Sequence, residues 1–345
     1  MDKERKDMQE TYSIYEKMGI PFAVTIELIA RCNWNCIHCY LDGKKEYGLN
    51  TEIILDLLKQ LKRMGIFEIT FTGGEVFLRK DIYDILYICR KMGFSVVLFS
   101  NISLLDHSGV KKLKDLGISL VSTSVYSMNA SVNDGITGVK GSLSMTIKNV
   151  KQLINEGIRT EIKTMIMEPN YNDYFDVRDY FISLGCLFKC DTSLMYGIES
   201  GCQKKQFQIS KKHLKTILYD IDNQNGVEYI EKGENDYICK SMQSSLWIGY
   251  DGNVYPCNNM RKPMGNIINE NIEIIWQKEE YKALRYAKWS ECKDCISCVK
   301  RKYCVRCSGN AENETGDIFG PDPQACLLSD LRMEIMHDKE FNKKS

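Results

Sequence analysis

Apolar residues recur along the first half of the chain in short, nearly continuous runs separated by longer stretches with helical spacing. The short runs predict strands over residues 23–30, 66–71, 95–99, 118–125, 158–167 and 186–195. Between them, apolar positions repeating at about 3.6 residues predict helices over 51–64 (TEIILDLLKQLKRM), 81–92 and 142–156. Asn50 or Thr51 can cap the first of these, with Glu52 near the positive end of the helix dipole. Gly65, Gly93, Gly117 and Gly157 each follow a helical run, where a left-handed C-cap is favoured. Repeated βα units predict parallel strands joined by right-handed crossovers. An open α/β sheet and a curved partial barrel both satisfy the pattern.

The rhythm stops after Gly197. A polar stretch, SGCQKKQFQISKKH, leads into a helix over 210–222 and then the turn-rich DNQNGVEYIEKGEND. The expected organisation is an N-terminal helical extension (1–20), an α/β domain (21–197), a linker with one helix (198–235) and a cysteine-rich domain (236–345) that ends in a helix over 327–337. Short, thiol-rich and poor in long apolar runs, this last domain is expected to fold only around metal.

Composition excludes more than it selects. Of 345 residues, 43% are hydrophobic and 27% charged, which is ordinary for a globular protein. A net charge of zero gives no sign of a nucleic-acid partner. No apolar run is long enough to span a membrane, and MDKERKDMQE is too charged for a signal peptide, so the expected location is cytoplasmic. The cysteines do change the picture. There are 15, grouped in short-spaced sets, which points to metal or iron–sulfur ligation rather than to a disulfide framework.

The first set, Cys32, Cys36 and Cys39, lies on one loop after the first strand, in Arg31-Cys32-Asn33-Trp34-Asn35-Cys36-Ile37-His38-Cys39-Tyr40. Three thiolates on a four-iron cluster leave one iron free for another ligand. A zinc site completed by His38 is the plainer alternative, but a residue inside the C-x-x-C is badly placed as a fourth tetrahedral ligand. The spacing C-x3-C-x2-C, with His38 in the aromatic slot, resembles the radical S-adenosylmethionine (SAM) enzymes. Thr72-Gly73-Gly74-Glu75 after the second strand is similar to that family's G-G-E segment, Ser100-Asn101 to its polar pair after the third, and Val121-Ser122-Thr123-Ser124-Val125-Tyr126 to its serine-containing fourth strand.

The resemblance implies a partial (β/α)6 TIM-like barrel with SAM at the strand ends. Gly73, Gly74 and Glu75 would hold the methionine amino group, with glycines letting the backbone approach the ligand, and His38, Ser100, Asn101 and Ser124 would lie beside the cofactor. On the fifth strand Arg159, Glu161 and Lys163 share one face by alternation. A basic residue there meets the SAM carboxylate in relatives, which makes Lys163 the candidate; a solvated row of paired charges reads equally well.

The second set is Cys239, Cys257, Cys292, Cys295, Cys298, Cys304, Cys307 and Cys326. Two four-iron clusters and two zinc ribbons need the same number of thiolates. The order of spacings, with Gly252 between Cys239 and Cys257, resembles the SPASM extension of radical SAM enzymes, as do Tyr250-Asp251-Gly252 and Ile275-Trp276. Only two residues separate Cys304 from Cys307, where the extension has three. The resemblance implies Cys239, Cys257 and Cys307 on one auxiliary cluster and Cys295, Cys298, Cys304 and Cys326 on the other. Cys292 stands outside the pattern and is expected to supply the missing fourth ligand; the alternative is a spare thiol that leaves that cluster with an open iron for substrate. Cys186 and Cys190 share a face of the sixth strand and can serve as hydrogen-atom donors, although packing explains them as simply.

Membership of this family implies an enzyme with SAM and three 4Fe-4S clusters, one of them SAM-binding and two auxiliary, fed by an electron donor such as flavodoxin or ferredoxin. It would cleave SAM to a 5′-deoxyadenosyl radical and abstract hydrogen from a ribosomally made precursor peptide, installing a thioether or carbon–carbon crosslink or an epimerised residue. Asn258 stands where sulfatase-maturing relatives have an aspartate, which counts against that activity. Few residues precede the first strand, where many peptide-modifying relatives carry a winged-helix domain that grips the leader, so for a leader-bearing peptide either a separate leader-binding protein is expected or the enzyme grips it otherwise. The basic stretch Lys300-Arg301-Lys302…Arg306 can attract an acidic peptide, or is simply a solvated face. The alternatives are a small-molecule- or protein-maturing member of the family and a non-catalytic zinc-binding scaffold.

Overall fold

The computed structural model describes residues 2–41, 45–195, 197 and 202–344, so the start of the expected linker, 198–201, lies outside them. Helix α1 (Asp2–Met18) precedes six strands: β1 (Ala23–Ile29), β2 (Glu68–Gly73), β3 (Ser95–Phe99), β4 (Leu120–Ser124), β5 (Thr160–Met165) and β6 (Leu187–Asp191). All six are parallel neighbours in chain order. The crossovers carry α2 (Thr51–Met64), α3 (Ile82–Lys91), α4 (His107–Asp115), α5 (Ala130–Thr137), α6 (Ser142–Asn155) and α7 (Tyr174–Ser183), and α8 (Lys211–Asn225) follows β6. Asn50 caps α2 as expected, accepting from the Ile53 N–H at 2.9 Å.

Several expected boundaries move, each for a local reason. The sixth strand stops at Asp191 because its carboxylate accepts from the Thr192 and Ser193 N–H groups, which turns the chain. Helix α4 is the run that Gly117 closes, and its start is set by Asp106, which accepts from the Gly109 N–H at 2.7 Å. The C-terminal helix runs Pro323–Lys344 and begins earlier than its apolar pattern. Asp322 accepts from the Ala325 N–H ahead of Pro323, a strong start signal that places Cys326 in the first turn.

The cysteine-rich region does not stand apart. Strand β7 (Ser245–Ile248) adds to the open side of β1 in parallel, and β8 (Asn253–Tyr255) and β9 (Gly265–Asn266) extend it antiparallel into a sheet of nine strands. Leu246, Ile248, Val254, Ile275, Trp276 and Tyr281 join the same apolar core as β1 to β6. Trp276 also donates to the Gly19 carbonyl at 2.8 Å, tying the chain after α1 to this region. A small separate cluster forms around Ile238, Ala287, Trp289 and Cys292, while Leu328 and Leu331 of the C-terminal helix join the main core. Dependence of folding on metal is therefore an expectation for the segment around that small cluster, since the added strands and the last helix share the barrel's core.

The C-terminal helix is held to α8 by a buried ion pair. Arg332 donates to both oxygens of Asp222 at 2.7 and 2.8 Å, and Tyr229 adds a hydroxyl at 2.6 Å. Replacing Arg332 with alanine leaves Asp222 buried without its cation, and we expect a loss of about 3–5 kcal/mol. Urea unfolding of the full chain measures it; a loss below about 1 kcal/mol would show the pair to be solvated.

Candidate active site and cysteine clusters

The chain leaving β1 forms the loop that carries Cys32, Cys36 and Cys39, and the end of β2 presses directly against it. The Gly74 N–H donates to the Ile29 carbonyl at 2.7 Å and the Glu75 N–H to the Arg31 carbonyl at 3.0 Å. A Cβ on Gly73 would lie 2.1 Å from the Ile29 oxygen, and one on Gly74 2.2 Å from the Arg31 oxygen. Gly73 also has φ of 133°. The two glycines are thus required for contact between β2 and the cysteine loop, whereas the sequence suggested contact between backbone and ligand.

Glu75 likewise differs from expectation. Its side chain is fully buried behind the cavity, and its carboxylate accepts from Ser100 Oγ at 2.8 and 3.0 Å and from the Asn101 and Phe77 N–H groups. Those bonds oppose the desolvation that raises its pKa. The carboxylate therefore holds the polar pair rather than facing a ligand. The next residue along, Ile102, is a β-branched residue at φ 54°, a conformation that costs about 1–3 kcal/mol. It is held by its own N–H on Ser100 Oγ and by Asn149 Nδ2 on its carbonyl, both at 2.8 Å. The strained turn sends Asn101 toward the cysteine loop, where Nδ2 donates to Asn33 Oδ1 at 2.8 Å and lies 3.8 Å from Cys32 Sγ.

Cys32, Cys36, His38, Cys39, Gly73, Gly74, Ser100, Asn101, Ser124 and Lys163 all line one cavity of about 290 Å3, close to the lower end of ligand-pocket volumes. Leu194 and Met195, after β6, complete the wall. In a flat sheet β1 and β6 would be about 24 Å apart, so the six parallel strands curve as a partial barrel with the site at their C-terminal ends. Lys163 lies 3.7 Å from Glu161, and its ammonium packs over the Phe99 ring. Burial holds its pKa below the ordinary lysine value while Glu161 opposes the shift. Ser122 donates to Glu161 at 3.0 Å, so the expected charged row is partly internal pairing, and Arg159 falls outside the strand.

Tyr126, buried edge-on to His38 at 4.8 Å, joins the site although the sequence pattern marked only the serine strand it directly follows. The larger omission is Glu27. This carboxylate on β1 is 1% exposed and accepts from Tyr40 Oη at 2.9 Å, Trp247 Nε1 at 2.8 Å and Arg261 Nη2 at 2.7 Å. The Arg261 guanidinium also sits over the Tyr40, Trp247 and Tyr255 rings. Nothing in the local sequence marks Glu27, because its partners lie in the C-terminal region and just beyond the cysteine loop.

Burial pushes the Cys32 thiol up to about 11 and that of Cys36 to about 12. An apolar, thiol-rich loop of this kind suits a cationic centre that removes the protons on binding. Among the described residues, no three or more His, Cys, Asp or Glu side chains converge tightly enough for a single metal ion. The donor set is three loop thiols with an open side facing the cavity, which suits a centre that takes three protein ligands.

The C-terminal thiols fall into two groups. Cys257, pushed up to about 11 by burial, feels the charges of Cys307 and Cys239, and Asn259 Nδ2 lies 3.6 Å from Cys307 Sγ. Cys326 feels Cys295 and Cys298, and Cys304 feels Cys326 and Cys295. Cys292 departs from the expectation: it is fully buried against Ile238, Ala287 and Trp289, and its nearest thiol influence is Cys295. Arg306 is also buried, donating to the Gly320 and Ile318 carbonyls and to Ser308 Oγ, and Lys300 pairs with Asp330 at 2.8 Å, so the basic stretch is largely used internally. Cys186 and Cys190 are buried in the core, with Cys190 also touching a cavity beside the first.

Residues 26–179 match the model of the Radical SAM superfamily, and residues 239–299 that of the iron–sulfur cluster-binding SPASM domain. The chain is 32% identical to the Fe-coproporphyrin III synthase of Methanosarcina barkeri, over 88% of that protein and 89% of this one. It is 30% identical to the PqqA peptide cyclase of Rhodopseudomonas palustris, over 93% of that protein and 97% of this chain. Streptococcus suis SuiB, solved bound to the precursor peptide SuiA, superposes with a TM-score of 0.69 at 18% identity over 92% of this chain and 79% of its own, a likeness of fold.

For Cys292 the geometry predicts packing. Cys292→Ala should leave bound iron and the electron paramagnetic resonance spectrum unchanged while lowering stability by about 1–2 kcal/mol. Loss of iron would return it to the ligands.

Proposed function

Because the chain belongs to the radical SAM superfamily and carries its SPASM extension, we propose that it is a peptide-modifying enzyme acting on a ribosomally made precursor. Enzymatic activity and the use of SAM with iron–sulfur clusters follow from the family. The observation that carries the site assignment is the convergence of ten expected residues, contributed from around the curved sheet, on the cavity faced by Cys32, Cys36 and Cys39. Bound together, SAM and a cluster supply hydrogen-abstracting radical chemistry.

The chain's own residues then bind and orient. In this reading Cys32, Cys36 and Cys39 hold one cluster, Cys239, Cys257 and Cys307 a second, and Cys295, Cys298, Cys304 and Cys326 a third. Gly73, Gly74, Ser100, Asn101 and Ser124 shape the SAM cavity beside His38. Lys163 meets the SAM carboxylate, and Glu75 fixes the polar pair from behind. The product is a thioether or carbon–carbon crosslink or an epimerised residue, and a flavodoxin or ferredoxin delivers the electron. No helix among the described residues is long and apolar enough to cross a membrane.

The peptide reading is supported by the likeness to a PqqA peptide cyclase over nearly the whole chain. A small-molecule reading has support of its own, since the Fe-coproporphyrin III synthase is similar at 32% identity. The first test concerns the cluster itself. A triple Cys32→Ala, Cys36→Ala, Cys39→Ala variant should retain the iron of the C-terminal region and lose dithionite-dependent release of 5′-deoxyadenosine by at least about a thousandfold. Release at the wild-type rate would overturn the assignment.

A further inference from the structure

A second compartment of about 460 Å3 opens beside the first, the two sharing Tyr126, Lys163 and Met195 as walls. Its remaining sides come from different parts of the chain: Lys189 and Asp191 from β6, and Asn258 and Asn259 from the loop after Cys257. Lys163 and Lys189 are register partners on adjacent parallel strands, so two ammonium groups stand at one level on the same face of the sheet. Two cations side by side in a partly enclosed space repel each other and favour an anion between or beyond them.

The charges facing this compartment do not neutralise both. Glu161 is 3.7 Å from Lys163 and is committed there. Asp191 is turned to the chain, its Oδ1 accepting from the Thr192 and Ser193 N–H groups at 2.7 and 2.8 Å. Among the described residues, Lys189 has no carboxylate within ion-pair distance. The two asparagines opposite place their amide donors on soft sulfur acceptors, Asn258 Nδ2 on Met195 Sδ at 3.5 Å and Asn259 Nδ2 on Cys307 Sγ at 3.6 Å. A carboxylate oxygen is a better acceptor than either sulfur, so both amides can turn to it at little cost.

We propose that Lys189, with Asn258 and Asn259 facing it, binds a carboxylate of the substrate, so that the modified position lies beside an acidic residue of the peptide. The proposal rests on the peptide reading above for the source of that carboxylate and not for the subsite itself. Lys163 remains with SAM, and Lys189 selects the substrate from the adjoining space. The same chemistry would receive a ring propionate, and the experiment separates the two sources.

The test uses the reconstituted full chain with SAM bound and isothermal titration of three probes. These are an acetylated, amidated glycine peptide with one central glutamate, its glutamine counterpart, and a propionate-bearing porphyrin. The glutamate peptide should bind at least about tenfold more tightly than the glutamine peptide. Lys189→Met should abolish that difference, Lys189→Arg should restore most of it, and added salt should weaken it. Iron content and circular dichroism of the variants control for folding. If only the porphyrin shows the Lys189 dependence, the carboxylate subsite stands and the peptide reading falls. Equal binding of glutamate and glutamine peptides by wild type together with porphyrin binding indifferent to Lys189→Met overturns the proposal, as does failure of both carboxylate probes to bind wild type.

Discussion

A buried carboxylate on the first strand decides how the two cysteine regions meet. Stripping Glu27 of water costs several kcal/mol, and the fold recovers that only by surrounding it with donors. The donors are drawn from distant places: Tyr40 directly follows the third loop cysteine, Trp247 lies on β7, and Arg261 is four residues beyond Cys257. Satisfying one charge therefore fixes the barrel's cysteine loop, the added strand and the first C-terminal cysteine loop relative to each other. The aromatic rings around Arg261 exclude water and strengthen the pair. Shared core residues on β7 and β8 hold the same arrangement from the other side of the sheet.

The cysteine loop is held by close approach as well as by charge. Side chains at Gly73 or Gly74 would meet backbone carbonyls that have nowhere to go. Beyond them, Glu75 gathers Ser100 and Asn101, and the left-handed Ile102 keeps Asn101 aimed at the loop. Strain of this kind persists only where the surroundings over-determine it, and here the Asn149 amide and the Ser100 hydroxyl do so. The buried thiols add a further tension, because burial keeps them protonated until a cationic centre arrives.

Most of this site was legible through motifs that resemble those of radical SAM enzymes and that fall at the strand ends which period and glycine position locate. The loop cysteines, His38, Gly73, Gly74, Ser100, Asn101, Ser124 and Lys163 were marked by that resemblance, and all line the cavity. Orientation is what a one-dimensional pattern does not give: Glu75 lies at the expected strand end, and its carboxylate turns back onto Ser100 and Asn101. Glu27 was invisible for a related reason: its three side-chain donors are 13, 220 and 234 residues away. For Cys292 an even number of thiols suggests a ligand, while Trp289, Ile238 and Ala287 supply apolar contacts that suit a core residue.

Division of labour within the molecule is set by which elements form which wall. Strand ends and the cysteine loop build the first cavity almost entirely, so its contents depend on features common to the barrel. The second compartment and the neighbouring space around Arg261 need Asn258, Asn259 and Tyr255 from the C-terminal region to close them. Substrate choice is therefore concentrated where the two regions face each other, in side chains that the barrel alone does not specify. That placement reconciles relatives with peptide and tetrapyrrole names at comparable identity, 30% and 32%. A shared cavity can serve both, provided the facing wall is rewritten. In this chain that wall presents the Asn258 and Asn259 amides across from Lys189 of β6, a polar surface suited to carboxylates and peptide groups and poorly suited to a large apolar ring face.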